Sequence, residues 1–323
     1  MIKDSFRVND FLFKIFADND SVIEALHGWL DSDIVKLHDS SGKQTENIIN
    51  IKVLSDFSPE EVPEIPDQDP EATFEDVSFY PGSKNRIITV KDTVINIDDD
   101  SNSAFCYLSP QHMDSSWVLA HRVFLLPVLE ILRKREAFYL HAGCVFINGA
   151  GILICGGSGH GKSTLTYALA RDGFSYMSDD AVFLKANGEN PSIFSFPEKL
   201  KLDSSSCSFF SEFSELPEIK GKVEISIKDS NISDVVIDGE PQFIIFPHIS
   251  ETGECGIQPV DDTEAMLMLI QQSISMVGNN RIEEHLDILK KLSEGTKKYR
   301  LTIGGNFEEP VRLIRGISGT RIN

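Results

Sequence analysis

The chain has 323 residues, 41% hydrophobic and 25% charged, with a net charge of −20. That is enough chain for two ordinary domains with the balance of a globular protein. No apolar run approaches the ~18 residues that span a bilayer, and the acidity argues against nucleic acid or an anionic membrane as partner. Met1-Ile2-Lys3-Asp4 leads into no apolar stretch, so no secretion signal is read and a cytoplasmic location is expected. Cys106, Cys144, Cys155, Cys207 and Cys255 lack metal-ligand spacing and read as buried free thiols.

The first part runs from Met1 to about Asp114 and reads as a small α+β domain, a candidate for acceptor recognition. Phe6 to Phe16 predicts a strand or strand pair. Several N-cap residues, Asp18-Asn19-Asp20-Ser21, precede Val22, Ile23, Leu26, Trp29 and Leu30 at helical spacing. Asn47 to Leu54 predicts a strand. Ser58 to Asp76 holds eight acidic residues and four prolines, and predicts an extended, mobile loop. Strands are expected at 86–90, 93–97 and 105–108. Residues 115–136 predict a connecting helix, apolar on much of its circumference and kinked at Pro127, with His121 as a packed histidine.

The third part, residues 137–323, predicts an α/β domain. Two apolar runs, Phe138 to Ile147 and Gly151 to Cys155, flank Asn148-Gly149-Ala150, a strong hairpin signal. Gly156-Gly157-Ser158-Gly159-His160-Gly161-Lys162-Ser163 then fits the P-loop pattern. Average residue usage would produce it by chance in roughly one chain in a hundred of this length. An apolar strand enters it, and a helix from Thr164 to about Arg171, closed by Asp172-Gly173, leaves it. Glycines let the backbone wrap a phosphate, the helix start turns N–H groups and its positive dipole end toward it, and Lys162 adds a mobile charge. The expected ligands are the phosphates of ATP, held by residues 156–164 including Thr164, with Ser163 on Mg²⁺. His160 is expected to point outward.

Ser178-Asp179-Asp180 lies past that helix, and the aspartates fall 17 and 18 residues beyond Lys162. A helix of about ten residues running out and a short strand returning bring them back beside the phosphates. One carboxylate can hold Mg²⁺, the other can accept a proton from an attacking hydroxyl. His141 sits on the hairpin partner of the entering strand, within reach of the same place, with a half-buried structural histidine as the alternative. Beyond, strands are expected at 174–177, 181–184, 242–246, 299–303 and 311–314, and helices at 263–276 and 281–292. Arg312, Arg315 and Arg321 read as a solvated tail.

Three pieces in this order, Tyr139-Leu140-His141-Ala142-Gly143, then Gly156 to Thr164, then Ser178-Asp179-Asp180-Ala181-Val182, resemble the catalytic domain of HPr kinase/phosphorylase, and more distantly the nucleotide site of phosphoenolpyruvate carboxykinase. The resemblance is strong over residues 138 to about 185 and loose beyond. It implies an α/β P-loop kinase domain of that type and transfer of the γ-phosphate of ATP, with Mg²⁺, to a hydroxyl, a serine by analogy. It carries the site over to His141, Lys162, Ser163, Asp179 and Asp180, with Asp180 as metal partner. The acceptor would be a peptide, protein or small molecule, and a homo-oligomer is compatible. The Gly-rich signature that such kinases carry past the aspartates is missing from Phe196 to Leu202, which argues against phosphorolysis. The N-terminal part looks more like relatives encoded near peptide-modification genes. A P-loop regulatory module without transfer, or a carboxykinase-like enzyme, are the alternatives.

Overall fold

The computed structural model describes residues 1–42, 47–80, 85–98, 100–213, 216, 218–219, 221–273 and 281–319. Met276 and Arg321 lie outside the described residues. The chain divides into two compact units, Met1–Glu136 with Ser275–Ile282, and Ala137–Ile274 with Glu283–Asn323. Both are mixed α/β. Among the described residues no helix is long and apolar enough to cross a membrane.

The first unit is built on an eight-stranded sheet. Its strands are β1 (Ile2–Val8), β2 (Phe11–Ala17), β3 (Asn47–Leu54), β4 (Ala72–Phe74), β5 (Val77–Tyr80), β6 (Asn85–Val90), β7 (Thr93–Asp98) and β8 (Ser103–Tyr107). They lie in the order β1-β2-β3-β8-β7-β6-β5-β4. The run Phe6 to Phe16 is thus two strands, reversed at Asn9, whose positive φ of 53° suits a tight turn. Alternate residues of β1 and β2 (Phe6, Val8, Phe13, Ile15) are buried under α1 (Asp20–Trp29), α2 (Ser32–Ser40) and the helical stretch before the second unit. Asn19 and Asp31 cap the two helices with side-chain oxygens on backbone N–H groups. The acidic segment 58–76 is more structured than expected, with a 3₁₀ turn at Pro59–Glu61 and β4 at its end.

The helical stretch is α3 (Ser116–Val118), a π-helical turn (Leu119–Phe124) and α4 (Leu125–Lys134). The disturbance expected at Pro127 therefore falls just before it. Proline has no N–H for the carbonyl four residues back, and its ring crowds that carbonyl. Here that is Val123, inside the π turn, and its oxygen accepts instead from the Cys106 thiol at 3.5 Å. His121 is half-buried, its ring stacked on Trp117. Four of the five cysteines are buried and Cys255 is half-buried; all five are free thiols.

In the second unit the strands are β9 (Ala137–Ile147), β10 (Ala150–Cys155), β11 (Ser175–Ser178), β12 (Ala181–Lys185), β13 (Ser192–Ser195), β14 (Leu200–Asp203), β15 (Glu218–Ile219), β16 (Lys222–Ile225), β17 (Asp238–Gly239), β18 (Pro241–Ile249), β19 (Gly256–Pro259) and β20 (Lys297–Ile303). Its main sheet runs β17-β13-β12-β9-β10-β18-β20-β19, with β11 also on β9, and β14-β16-β15 form a small second sheet. The helices are α5 (Lys162–Arg171), α6 (Ser204–Cys207), α7 (Asp262–Gln271), α8 (Ile282–Gly295) and α9 (Glu308–Ile317).

Residues 311–314 are not a strand, as expected, but part of α9. Phe307, Val311 and Ile314 are buried at helical spacing, and Glu308, Glu309 and Pro310 are first-turn residues. A short apolar run cannot by itself distinguish the two. Helix α9 also takes Arg315 out of the solvated tail: its Nε donates to Asp172 at 2.6 Å, and its guanidinium lies 4.7 Å from the Phe174 ring centre. Arg312 stays exposed, paired with Glu309.

Helix α5 crosses β9 at Gly143, where a Cβ would fall 2.1 Å from Thr166 Oγ1. Gly143→Ala is expected to lower stability by about 1–3 kcal/mol. Thermal unfolding checks this against Gly28→Ala, on an open face of α1 with nothing within 4 Å, which should be neutral or slightly stabilising.

Candidate functional site

The site is assembled along one strand. β9 and β10 form a two-residue hairpin, Ile147 opposite Ala150, with Asn148 and Gly149 at φ 52° and 79°, the signs a type I′ turn needs. β10 delivers the chain to the glycine-rich loop. Gly159 and Gly161 take φ values of 78° and 82°, and α5 begins at Lys162. The first N–H groups of any helix lack intrahelical partners, so α5 presents donors and the positive end of its dipole to the loop. Ser158, Gly159 and His160 are exposed, Ser163 half-buried, and Lys162 buried with its Nζ donating to the Gly157 carbonyl at 3.2 Å. The buried Thr164 hydroxyl lies 2.6 Å from Ser206 Oγ.

On the other edge of β9, β11 and β12 pair in succession, Ser178 against Cys144 and Ala181 against His141. The jog between them is Ser178-Asp179-Asp180. The Ser178 hydroxyl accepts from the N–H groups of Asp180 and Ala181 at 3.3 and 3.1 Å, a serine turn. The Asp180 carbonyl accepts from Ala142 N–H at 3.2 Å. His141 and Asp180 thereby meet, Nε2 to Oδ1 at 2.9 Å.

The two aspartates occupy different surroundings. Asp179 is buried, accepting from the Tyr176 hydroxyl at 3.1 Å and from Lys201 N–H at 3.2 Å. Burial first, then the neighbouring charge of Asp180, pushes its carboxyl up to about 7. For Asp180 burial acts in the same sense, but the His141 hydrogen bond and the charges of Lys201 and Lys222 outweigh it and hold the group well below the usual carboxylate range. Lys162 shares this field: burial lowers its ammonium, and Asp180 and Asp179 partly restore it.

Three residues that the sequence did not single out for the site, Lys201, Glu198 and Tyr139, complete the cluster. Lys201 Nζ lies 2.5 Å from Glu198 and 3.9 Å from Asp180. Burial would neutralise it, but those carboxylates more than compensate and keep it ionised. The one signal was a lysine flanked by two leucines, Leu200 and Leu202, both buried. Tyr139, two residues before His141 on the same face of β9, is held in its phenol form by burial and by Asp180, Glu198 and Asp179.

His160 is exposed, as expected, yet its ring lies over the loop, 3.5 Å from where a Cβ on Gly157 would be. With Gly156, Phe246, His248, Gln271 and Arg300 it lines a cavity of about 330 Å³. A larger cavity, about 420 Å³, lies at the far end of α5 by Arg171 and Phe307 and touches none of these groups. Among the described residues no three His, Cys, Asp or Glu side chains are grouped to hold a metal by themselves.

No family model matches the chain. Two curated relatives, HPr kinase/phosphorylase from Limosilactobacillus reuteri strain DSM 20016 and from subspecies reuteri strain JCM 1112, are each 38% identical to it over 90 residues. Over that segment the chain is similar to HPr kinase/phosphorylase, as a divergent relative. The match takes in 28% of this chain and spans 27% of the length of those relatives. Among solved structures, the Hpr(Ser) kinase/phosphatase from Coxiella burnetii overlaps 56% of this chain and 93% of its own, at 16% identity and a TM-score of 0.31.

The raised Asp179 carboxyl gives a stability test. The unfolded group ionises near 3.8 and the folded one near 7, so burying the charge costs nothing below about pH 4, increasingly more up to about pH 7, and a constant amount above. Asp179→Asn should therefore gain melting temperature over the parent as pH rises from about 4 to 7, then hold a fixed advantage. A difference that does not vary with pH would contradict the burial.

Proposed function

We propose that this chain is an ATP-dependent kinase that moves the γ-phosphate to a hydroxyl, a serine by analogy with its relatives, on a peptide, protein or small molecule. The observation that carries the reading is the contrast between two adjacent carboxylates beside Lys162. One is near neutrality and buried, the other firmly ionised. A protein that only bound nucleotide could use the ionised one for a metal but would need no proton acceptor, whereas phosphoryl transfer uses both.

The loop fits a triphosphate. Its backbone turns through two left-handed glycines, α5 presents N–H donors, and Lys162 is anchored on the Gly157 carbonyl at the loop's base. The donor set also fits Mg²⁺, which binds through one or two carboxylates and substrate phosphates and keeps several waters rather than needing an all-protein cage. Ser163 and Asp180 would hold it, and when bound it would neutralise charge on the β- and γ-phosphates.

In this reading the acceptor oxygen attacks the γ-phosphorus as the bond to the β-phosphate oxygen breaks. The hydroxyl proton passes to Asp179, whose carboxyl near 7 suits a base at neutral pH. ADP leaves with its new charge beside Lys162 and the N-terminus of α5. His141 keeps the Asp180 carboxylate oriented and ionised. Lys201 and Glu198 stand where a Gly-rich signature for the reverse reaction would be expected, so the reading is forward transfer alone. A cytoplasmic setting goes with this chemistry.

Lys162→Ala should fold normally and lose transfer of label from γ-labelled ATP; an unchanged rate would end the reading. Asp179→Asn should lower transfer by about 10²–10⁴-fold while nucleotide affinity, read by calorimetry, stays within about tenfold. Label recovered only as free phosphate, whatever acceptor is supplied, would favour a nucleotide-driven switch.

A further inference from the structure

The sheet of the first unit has a second face, away from its helices. Side chains alternate along a strand, so one face can be read off the register. Lys3 of β1, Phe16 of β2, Lys52 of β3 and Phe105 of β8 are direct neighbours across four strands. Lys3 is exposed and the other three half-buried. The cations sit on the rings beside them, Lys3 Nζ 5.8 Å from the Phe16 ring centre and Lys52 Nζ 5.0 Å from that of Phe105. Lys14 and Arg7 stand on the same face in the next two rows. On β1, β2 and β3 this face carries four cations and no carboxylate, in a chain whose net charge is −20.

The chain already packs an acidic stretch of its own at the neighbouring end of this face. Tyr107 follows Phe105 two residues along β8, so it points the same way. Phe57 meets its ring edge-on, with centres 5.5 Å apart. The phenol is raised by burial and then by the charge of Glu61 in the same segment. A carboxylate-bearing, aromatic segment is thus the kind of chain that packs beside these strands.

We propose that the β1-β2-β3 face docks an acidic, aromatic-containing segment of the polypeptide that bears the acceptor hydroxyl. Charge complementarity selects the partner: cations interleaved with rings accept carboxylates and apolar side chains in alternation. A nucleic acid strand carries a dense line of phosphates, which the acidic remainder of the protein repels; a short acidic peptide presents fewer charges, and locally. The acceptor role rests on the kinase reading; the docking face does not.

The probe is a fluorescein-labelled synthetic peptide with the 56–76 sequence of this chain, acidic and containing two phenylalanines, added to the full chain without nucleotide. Fluorescence anisotropy should show binding that weakens with salt, and that falls at least tenfold in Lys14→Glu/Lys52→Glu while ATP turnover is unchanged. Lys14→Gln/Lys52→Gln, with a melting temperature equal to the parent's, should show a smaller loss in the same direction. Equal affinity in the parent and both variants would overturn the proposal. So would tighter binding of a dT20 oligonucleotide or of phosphatidylserine vesicles through the same lysines. If the peptide binds as expected but Lys162→Ala leaves turnover unchanged, the kinase reading falls and the docking face stands.

Discussion

Helix α5 can lie against β9 only because position 143 has no side chain. A methyl group there would fall on Thr166 Oγ1, which already donates to the Lys162 carbonyl at 2.8 Å. This approach fixes where the first turn of α5 sits relative to the sheet, and with it Lys162, Ser163 and the loop. The same strand holds His141 two residues earlier and pairs with β10, β11 and β12. One strand therefore sets the loop, the histidine and the paired aspartates in a common frame.

Within that frame, environment separates chemically identical groups. Asp179 and Asp180 are neighbours in sequence, but the serine turn sends one carboxylate inward to Tyr176 and Lys201 N–H, and the other toward His141. Two carboxylates this close resist ionising together. The buried one yields, while the one with the histidine bond and the lysine charges stays ionised. The Lys201–Glu198 pair keeps a cation beside them in a setting where a lone lysine would lose its proton.

The first unit shows how a polar or irregular feature is absorbed by its surroundings. Pro127 displaces the irregularity to a π turn, and a cysteine thiol takes up the carbonyl it strands. Arg86 and Arg133 are buried because Glu130 accepts from both, at 3.0 and 2.6 Å. The uncovered face of the sheet keeps its lysines by laying them on phenylalanine rings, which lets cations stand on a half-buried surface.

The glycine-rich loop, the hairpin before it and the return of two aspartates were readable from the chain alone, because each is local. Turn residues, hydrophobic runs and the lengths of one helix and one strand decide them. The resemblance to HPr kinase/phosphorylase rested on the same pieces. The end of the chain was misread, since Val311 to Ile314 fits a strand until the burial of Phe307, three residues before Pro310, shows a helical period. Lys201 and Glu198 were passed over, because a lysine flanked by leucines looks like any strand until a distant segment brings it to Asp180. The different characters of Asp179 and Asp180 were equally out of reach. Ionisation depends on burial and on which charges surround a group, and those are set by contacts between residues far apart in the chain.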